Sequence, residues 1–433
     1  MRIMIVDSGA RAHALSLVYE KSSIVKQVIV IPGNDFIVYQ RQKDIIVDKQ
    51  CSFFQPQTIL DLVNKYKPDL IDVAQDDALA LGTVDLLQKH GFSVFGPTKA
   101  AARIEWDKVW SKEFMQRHVI PTSPFTVFGD KEDARKYVTS LYFINKQNKV
   151  VYVKASGLCA GKGALRAENW HEAMFAIEKM NVFGDAGKML VIENGLQGEE
   201  FSSYVISDGH GYSMLPSSQD HKALFNFDQG PQTGGMGAIS PVMIASSFSK
   251  EIEEIMAKTI SDMEKEGVPF RGILYLGGMV VEGKVMVIEF NARWGDPECH
   301  VILPSLKIDY GELVQSSLHG KVNQLNRKYD TKVRICVVGA ERRYPESPVR
   351  GKQIYGLEQV MQCEGVTLLG AGIAMQDNKF YTNGGRLFSI VGEGNTLLEA
   401  RQKAYAAIAC IHIEGNNLHY RTDIGWRDME KYI

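Results

Sequence analysis

Short apolar runs alternate with amphipathic stretches through the first part of the chain. The run at 2–6 predicts a strand, ended by Gly9, and 12–19 a helix. A second strand is expected at 28–31, stopped by Pro32-Gly33-Asn34. A helix at 58–66, a strand at 70–73, a helix at 78–90 and a short strand at 93–95 follow. Strands and helices alternating at this spacing imply a parallel sheet. Its ligand crevice belongs at the carboxyl ends of the strands. Those ends carry Asp7-Ser8-Gly9, Pro32-Gly33-Asn34 and Gln75-Asp76-Asp77. The G-x-G-x-x-G spacing of a dinucleotide site is absent, so the first turn reads equally well as purely structural.

Gly96-Pro97-Thr98 marks a junction. Residues 100–117 predict one helix with Lys108 in its middle, where a lysine is ordinarily a solvated surface group. Pro121 and Pro124 bound a linker; a helix at 134–141 and a strand at 150–154 come next. Lys154 then ends a buried strand and a glycine-rich loop begins at once, with Gly157, Gly161, Lys162 and Gly163. The loop does not meet GxxxxGK[ST]. Its glycines still let backbone N–H groups approach phosphate oxygens, and lysine adds point charge. A flexible hairpin turn is the alternative.

Residues 170–179 predict a helix, 183–187 a turn, and 189–192 an apolar strand ending at Glu193. A strand at 201–206 follows Glu199-Glu200, and a polar cluster occupies 217–222. Asp220 and His221 make no catalytic dyad there, because neighbours on a strand face opposite ways; a binding role is expected. Residues 230–241 form a long glycine-rich loop, which inside a compact domain is disordered or functional. A helix at 248–267, a strand at 272–281 and a hairpin at Gly283 lead into the apolar run 285–288. Polarity then changes abruptly, with Glu289, Asn291, Arg293, Asp296 and Glu298 in quick succession. Side chains two apart on a strand share a face, so Glu289, Asn291 and Arg293 are expected to point into one cleft. A carboxylate beside an amide oxygen suits Mg²⁺, which usually also binds nucleotide phosphates, and arginine suits an anionic substrate. A strand end followed by a charged surface turn is the plainer reading. A helix at 308–319 closes this part. From about Thr331 short strands dominate, at 333–338, 366–371 and 386–391, with a helix at 397–408. That predicts a separate α+β domain, whose glycine-rich turn 382–386 helps line the cleft.

Composition narrows the classes. At 433 residues two to four domains are expected. A 45 % hydrophobic and 23 % charged composition is ordinary for a soluble protein. A net charge of -2 gives no reason to expect nucleic acid. Six cysteines without a CxxC pair, and ten histidines without HxH or HExxH, argue against zinc and disulfides and fit a reducing compartment. The start resembles a strand and turn rather than a signal peptide, and no apolar run is long enough for a membrane span. Cytoplasmic residence without membrane association is the expectation.

Blocks at 155–163, 218–222, 233–241, 289–298, 382–386 and 423–426 come in an order and spacing that resembles the phosphoribosylamine–glycine ligase family of the ATP-grasp superfamily, over essentially the whole length. The resemblance implies an α/β and α+β multidomain ATP-grasp fold: an N-terminal parallel-sheet domain (1–101), an ATP-grasp domain (102–328, lid about 124–192) and a small C-terminal α+β domain (329–433). It implies ligation of glycine to 5-phosphoribosylamine through glycyl phosphate, with ATP and Mg²⁺ or Mn²⁺, by a monomer. Lys108, Lys154 and the 157–163 loop match phosphate-binding groups. Glu193 and Leu196 match the adenine hinge, and Glu200 the ribose-contacting acid. Glu289 and Asn291 match metal ligands. Arg293, Lys154 and Asp220 match groups at the reacting atoms. Gly9, Arg11, His13, Asp220, His221, Lys222, Arg293, Asp296, Glu298, Gly384 and Arg386 match substrate contacts.

The departures cluster. The family pattern GxGGREHA stands here as Asp7-Ser8-Gly9-Ala10-Arg11-Ala12-His13-Ala14, and GPExPL as Ala74-Gln75-Asp76-Asp77-Ala78-Leu79. PGNxG continues past Asn34 as Asp35-Phe36, and the Asp and one Ala of KADGLAAGKG are Ser156 and Cys159. All but the last pair fall on the side expected to hold phosphoribosylamine, where aspartates repel a phosphate. Three readings stay open: the ligase, a relative that takes another amine, and a nucleotide-binding homologue without catalysis.

Overall fold

The computed structural model describes residues 1–39, 43–144, 150–159, 161–325 and 328–431. The expected parallel sheet is present. Strands β1 (Arg2–Asp7), β2 (Gln27–Pro32), β3 (Asp44–Val47), β4 (Leu70–Val73) and β5 (Val94–Phe95) run in the order β3-β2-β1-β4-β5. β1 is buried from Ile3 onward, as a strand covered on both faces must be. The edge strand β3 lacks a long apolar run and escaped the pattern.

Two helices expected to be continuous are broken. The stretch 78–90 is split into Asp76–Ala80 and Thr83–Lys89 by Gly82, whose φ of 79° is left-handed. The stretch 100–117 is split into Lys99–Trp106 and Lys108–Arg117. Asp107 leaves the helical region (φ -125°, ψ 92°), and its carboxylate accepts from the Trp110 N–H at 3.1 Å. The same carboxylate accepts from the Ser156 hydroxyl at 2.9 Å. Lys108 is therefore the first residue of a helix, not the middle of one.

The second sheet is antiparallel: β6 (Phe125–Phe128), β7 (Val151–Ala155), β8 (Ala164–Ala167) and β9 (Leu190–Asn194), in the order β6-β9-β7-β8. Its helices Lys131–Thr139 and Trp170–Lys179 bury Val138 and Ile177 against Val153 and Ile192 in a core of its own.

The central sheet contains β10 (Glu199–Asp208), β11 (Tyr212–Asp220), β14 (Gly237–Ser240), β15 (Arg271–Val281), β16 (Lys284–Asn291) and β17 (Val333–Glu341). The hairpin β12 (Ala223–Phe225) and β13 (Gln229–Gln232) stands off it. The glycine-rich stretch 230–241 thus holds β13 and β14 instead of forming one long loop. The central order is β16-β15-β10-β11-β14-β17, continuing through Arg386–Gly394 to Val366–Gly370. Because β14 pairs with β17 (Gly237 opposite Val337), the three strands expected after Thr331 extend this sheet. A smaller sheet holds Gln353–Tyr355, Ile373–Gln376, Lys379–Thr382 and His412–Ile413. No helix among the described residues is long and apolar enough to cross a membrane.

Candidate active site

A cleft of about 420 Å³ lies between the β6–β9 sheet and the central sheet. Lys108, Lys154, Lys222, Glu289, Asn291 and Arg293 all line it, from four separate stretches of chain. Lys154 is the penultimate residue of β7 and Glu193 lies on the adjacent β9, so register brings them together. They form a buried ion pair, and Lys112 completes it from the other side at 2.6 Å. Burial alone would raise the Glu193 carboxyl, but Lys154 and Lys112 outweigh it and hold the group below its usual range. Burial lowers Lys112, whereas Glu193 and Glu289 overcome burial and raise Lys154. Lys112 escaped the sequence reading. Its signal was the four-residue spacing from Lys108, which puts both amines on one helix face.

Glu289, Asn291 and Arg293 do face the cleft, but simple alternation does not put them there. Val285 and Val287 are buried in the main core, and strict alternation from them would bury Glu289 and Asn291 too. The register with β15 slips between Gly277 and Gly278: Val287 opposes Gly278, Glu289 opposes Gly277, and Ile288 is extra. This one-residue bulge reverses the faces. Phe290 and Ala292 enter the core and Glu289 turns outward.

Glu289 lies 3.6 Å from Lys222. Burial pushes its carboxyl up, but Lys222, Lys154, Lys108 and Arg293 bring it down to about 2, so it is ionised. The Asn291 amide nitrogen is buried without a hydrogen-bond partner, so nothing in the described chain fixes which end of the amide meets the cleft. No group of three His, Cys, Asp or Glu side chains among the described residues is placed for a metal. One carboxylate and one amide oxygen fit an ion that keeps water and phosphate oxygens as its other ligands, as Mg²⁺ does.

Arg293 pairs with Glu105 at 2.7 Å and lies 3.7 Å from Asp76. Glu105 also accepts from the Ala292 N–H at 2.8 Å, which fixes the turn after β16. Asp220 and Glu298 line the cleft near one another. Burial and Glu298 push the Asp220 carboxyl well up, and its Oδ1 has no hydrogen-bond partner. Gly235 is required opposite it: its φ is 109°, and a Cβ would come within 2.8 Å of Asp220 Oδ1.

A second cavity of about 400 Å³ adjoins the first, lined by Ser8, Gly9, Asn34, Lys49, Asn383 and Arg386, among others. Asp296 and Arg386 line both cavities. They pair at 3.2 Å, and Arg386 Nη1 also donates to the carbonyls of Gly234 and Asp296, each at 2.7 Å. Burial raises the Asp296 carboxyl, but Arg386, His300, Arg11 and Arg293 bring it down to about 2. Arg11 reaches the first cleft while held in a buried two-point pair by Asp7, at 2.8 and 3.1 Å. Asp7 stands where the family pattern has glycine.

The remaining sequence-derived residues divide. Gly161, Gly163, Glu193, Leu196 and Glu200 line the first cleft. Gly157 does not; its N–H donates to Ala186 O at 3.1 Å. Lys162 points away, donating to Pro345 O at 2.9 Å. His13 is buried between lobes, its Nδ1 accepting from the Gly370 N–H at 2.9 Å. Gly384 packs on Gly372 behind the second cavity. His221 is fully buried and turns away from both cavities, its Nε2 accepting from the Gly425 N–H at 3.1 Å. Glu105 was missed because nothing local marks it; it acts through residues far along the chain.

A nucleotide-sized cleft between two antiparallel sheets, with lysines on one wall and a carboxylate–amide pair on the other, defines an ATP-grasp enzyme of the carbon–nitrogen ligase class. Residues 1–105, 106–299 and 334–427 match, in turn, the N domain, the ATP-grasp (A) domain and the C domain of phosphoribosylglycinamide synthetase. The chain belongs to the phosphoribosylglycinamide synthetase family. It is 36 % identical to the phosphoribosylamine–glycine ligase of Ralstonia nicotianae, with 100 % of both chains covered. It is 37 % identical to that of Vibrio parahaemolyticus, covering 100 % of this chain and 99 % of the relative. The crystal structure of the Thermotoga maritima phosphoribosylamine–glycine ligase superposes with a TM-score of 0.81 at 32 % identity, covering 98 % of this chain and 100 % of that one.

Proposed function

We propose that this protein joins glycine to 5-phosphoribosylamine, converting ATP to ADP and phosphate. The observation that carries the reading is the pair of cavities sharing the Asp296–Arg386 wall. One is built for a polyphosphate and a small carboxylate, and the other opens beside it for the amine. In the first step a glycine carboxylate oxygen attacks the γ-phosphorus and the bond to ADP breaks. In the second the amine nitrogen attacks the acyl carbon, a proton leaves the nitrogen, and phosphate departs with the bonding pair.

The protein's share is electrostatic positioning, which is what phosphoryl transfer asks for. Lys108 and Lys154 hold phosphate oxygens, with Gly161 and Gly163 giving backbone close access. Lys112 keeps Glu193 in place beside Lys154. Leu196 and Glu200 border the nucleoside end. Arg293, braced by Glu105, faces the acyl phosphate with Lys222. Glu289 and Asn291 would hold Mg²⁺ or Mn²⁺, which when bound offsets negative charge on the phosphates. The acyl phosphate must be kept from water, a task for the 157–163 loop. Gly9, Arg11, Asp296 and Arg386 line the path of the amine. We read the chain as three domains, 1–101, 102–328 and 329–433, working as a cytoplasmic monomer; six free thiols fit a reducing compartment.

A second reading is favoured by one observation. Asp7 sets a carboxylate against Arg11, where the family pattern has glycine, and so alters a residue on the path of the amine. That reading keeps the acyl phosphate chemistry with a different amine. Incubation with ATP, Mg²⁺, glycine and freshly made phosphoribosylamine separates them. Equal amounts of ADP, phosphate and glycinamide ribonucleotide support the proposal. ADP with glycine and another amine, but none with phosphoribosylamine, selects the second reading. No ADP under any of these conditions overturns both.

A further inference from the structure

The segment 421–427 lies outside both cavities, yet it is tied to the stretch 221–228 at every turn. Arg421 is completely buried. Its guanidinium grips Asp423 at 2.8 and 2.7 Å, Asp228 at 3.0 Å and the Ala223 carbonyl at 3.1 Å. Asp423 accepts from the Phe227 N–H at 2.7 Å. Thr422 and Asn226 exchange two hydrogen bonds, at 2.7 and 3.0 Å. Arg427 pairs with Asp228, and the Trp426 ring meets Phe227 edge-on.

His221 sits at the centre of this junction. Its neighbours Asp220 and Lys222 line the first cleft, while its own ring points the opposite way, onto Gly425. Its backbone is held on both sides: its N–H donates to Gly237 O and its carbonyl accepts from the Met236 N–H, each at 2.9 Å. The Lys222 carbonyl accepts from the Thr233 N–H and hydroxyl, both at 2.8 Å. A shift of the His221 ring must therefore move Asp220, Lys222 and Thr233 together. Burial, with Arg421 beside it, pushes the imidazole down to about 3, so the ring is neutral and Nε2 is free to accept.

We propose that His221 and Arg421 are positioning residues, and that 421–427 is a strut holding the Asp220–Lys222 wall of the cleft in working register. Neither touches a reactant. The inference rests on the ligase reading for its kinetic readout only; amide exchange tests the strut whether or not that reading holds.

Four variants of the full chain test it: His221→Ala, His221→Gln, Arg421→Met and the milder Asp423→Asn. A glutamine oxygen reaches about as far from Cα as Nε2 and accepts the same hydrogen bond. His221→Ala and Arg421→Met should raise KM for glycine roughly tenfold or more, the equivalent of one lost buried hydrogen bond, and lower kcat. The affinity for ADP, whose lysines lie elsewhere, should change less than about twofold. His221→Gln should restore most of the loss, and Asp423→Asn should fall between. Exchange of the amides of Thr233, Gly234, Gly235 and Met236 should quicken in His221→Ala, while that of 285–291 stays as in the wild type. Unchanged exchange at 233–236, or equal loss in His221→Gln and His221→Ala with the fold intact, overturns the proposal. So does an ADP affinity that falls in step with the glycine KM. If Arg421→Met does not fold, Asp423→Asn and His221→Gln still decide between these outcomes. Wild-type protein inactive with glycine and phosphoribosylamine fails the ligase reading instead, and the exchange data then stand alone.

Discussion

The two cavities share a wall but are built on opposite principles. The first is walled by charged side chains that neutralise one another in pairs: Lys154 and Lys112 with Glu193, Lys222 with Glu289, Arg293 with Glu105. The second is walled largely by backbone and by groups whose bonds are already made. Asn34 donates to the Ser8 and Gly370 carbonyls at 2.9 and 3.1 Å, and Asn383 donates its N–H to Gly372 O at 2.8 Å. A site that must take up several phosphate charges needs cations that stay poised without them, and paired counter-charges keep those cations in place. A site that selects one small amine works by shape, so changing its turn residues changes what fits. Of the residues that depart from the family pattern, Ala10 lines the second cavity, whereas Asp76 and Cys159 line the first.

The sharpest way to break this comparison is Glu289→Ala. If the first cavity works by charge, ADP formation should fall by roughly 10²–10³-fold, as when one preorganised transition-state contact is removed. The fold should persist, because Glu289 sits at a cleft wall. Steady-state turnover with circular dichroism checks both, and unchanged turnover rejects the metal assignment.

Behind the Arg11 that reaches the first cleft on the path of the amine, Asp7→Ala should act first on stability. It leaves the buried Arg11 guanidinium without its two-point partner, a loss of roughly 3 kcal/mol. Denaturant unfolding should show it, with the KM for amine rising and the KM for ATP steady. If ATP affinity falls as much, the cavities are not separable.

A smaller effect is expected from Lys112→Met. Glu193 keeps only Lys154, which is then drawn further from incoming phosphate, so the KM for ATP should rise about tenfold. The KM for amine should not move.

The subtlest test uses Asp72, on β4 opposite Ile5 of β1. Burial, eased only in part by the Tyr19 hydroxyl at 2.8 Å, pushes its carboxyl up to about 7. Between the unfolded value of 3.8 and about 7 the folded protein binds the extra proton, so stability falls as pH rises through that window. The slope from this group is at most about 1.4 kcal/mol per pH unit. Asp72→Asn should remove it, and a melting series from pH 5 to 8, expected to flatten in the variant, is the check. A slope that persists assigns it to another group.

Much of this was legible in the chain before any contact was known. The strands at 2–6, 28–31 and 70–73, the helix 170–179 and the hairpin at Gly283 follow from local periodicity and turn chemistry, which are properties of a few neighbouring residues. So does the clustering of Glu289, Asn291 and Arg293. What the chain by itself did not decide was direction. The bulge at Ile288 exists because β16 must register with β15, and it turns three site residues from core to cleft. The break at Asp107 exists because Ser156, far along the chain, supplies its partner. His221 faces away from the cleft because Gly425 and the buried Arg421 wait on the other side. Helix and strand formation are short-range and were written in the order of residues. Register, caps and the facing of a side chain depend on partners outside the local window, 49 residues away for Asp107 and 204 for His221, so only the packed chain settles them.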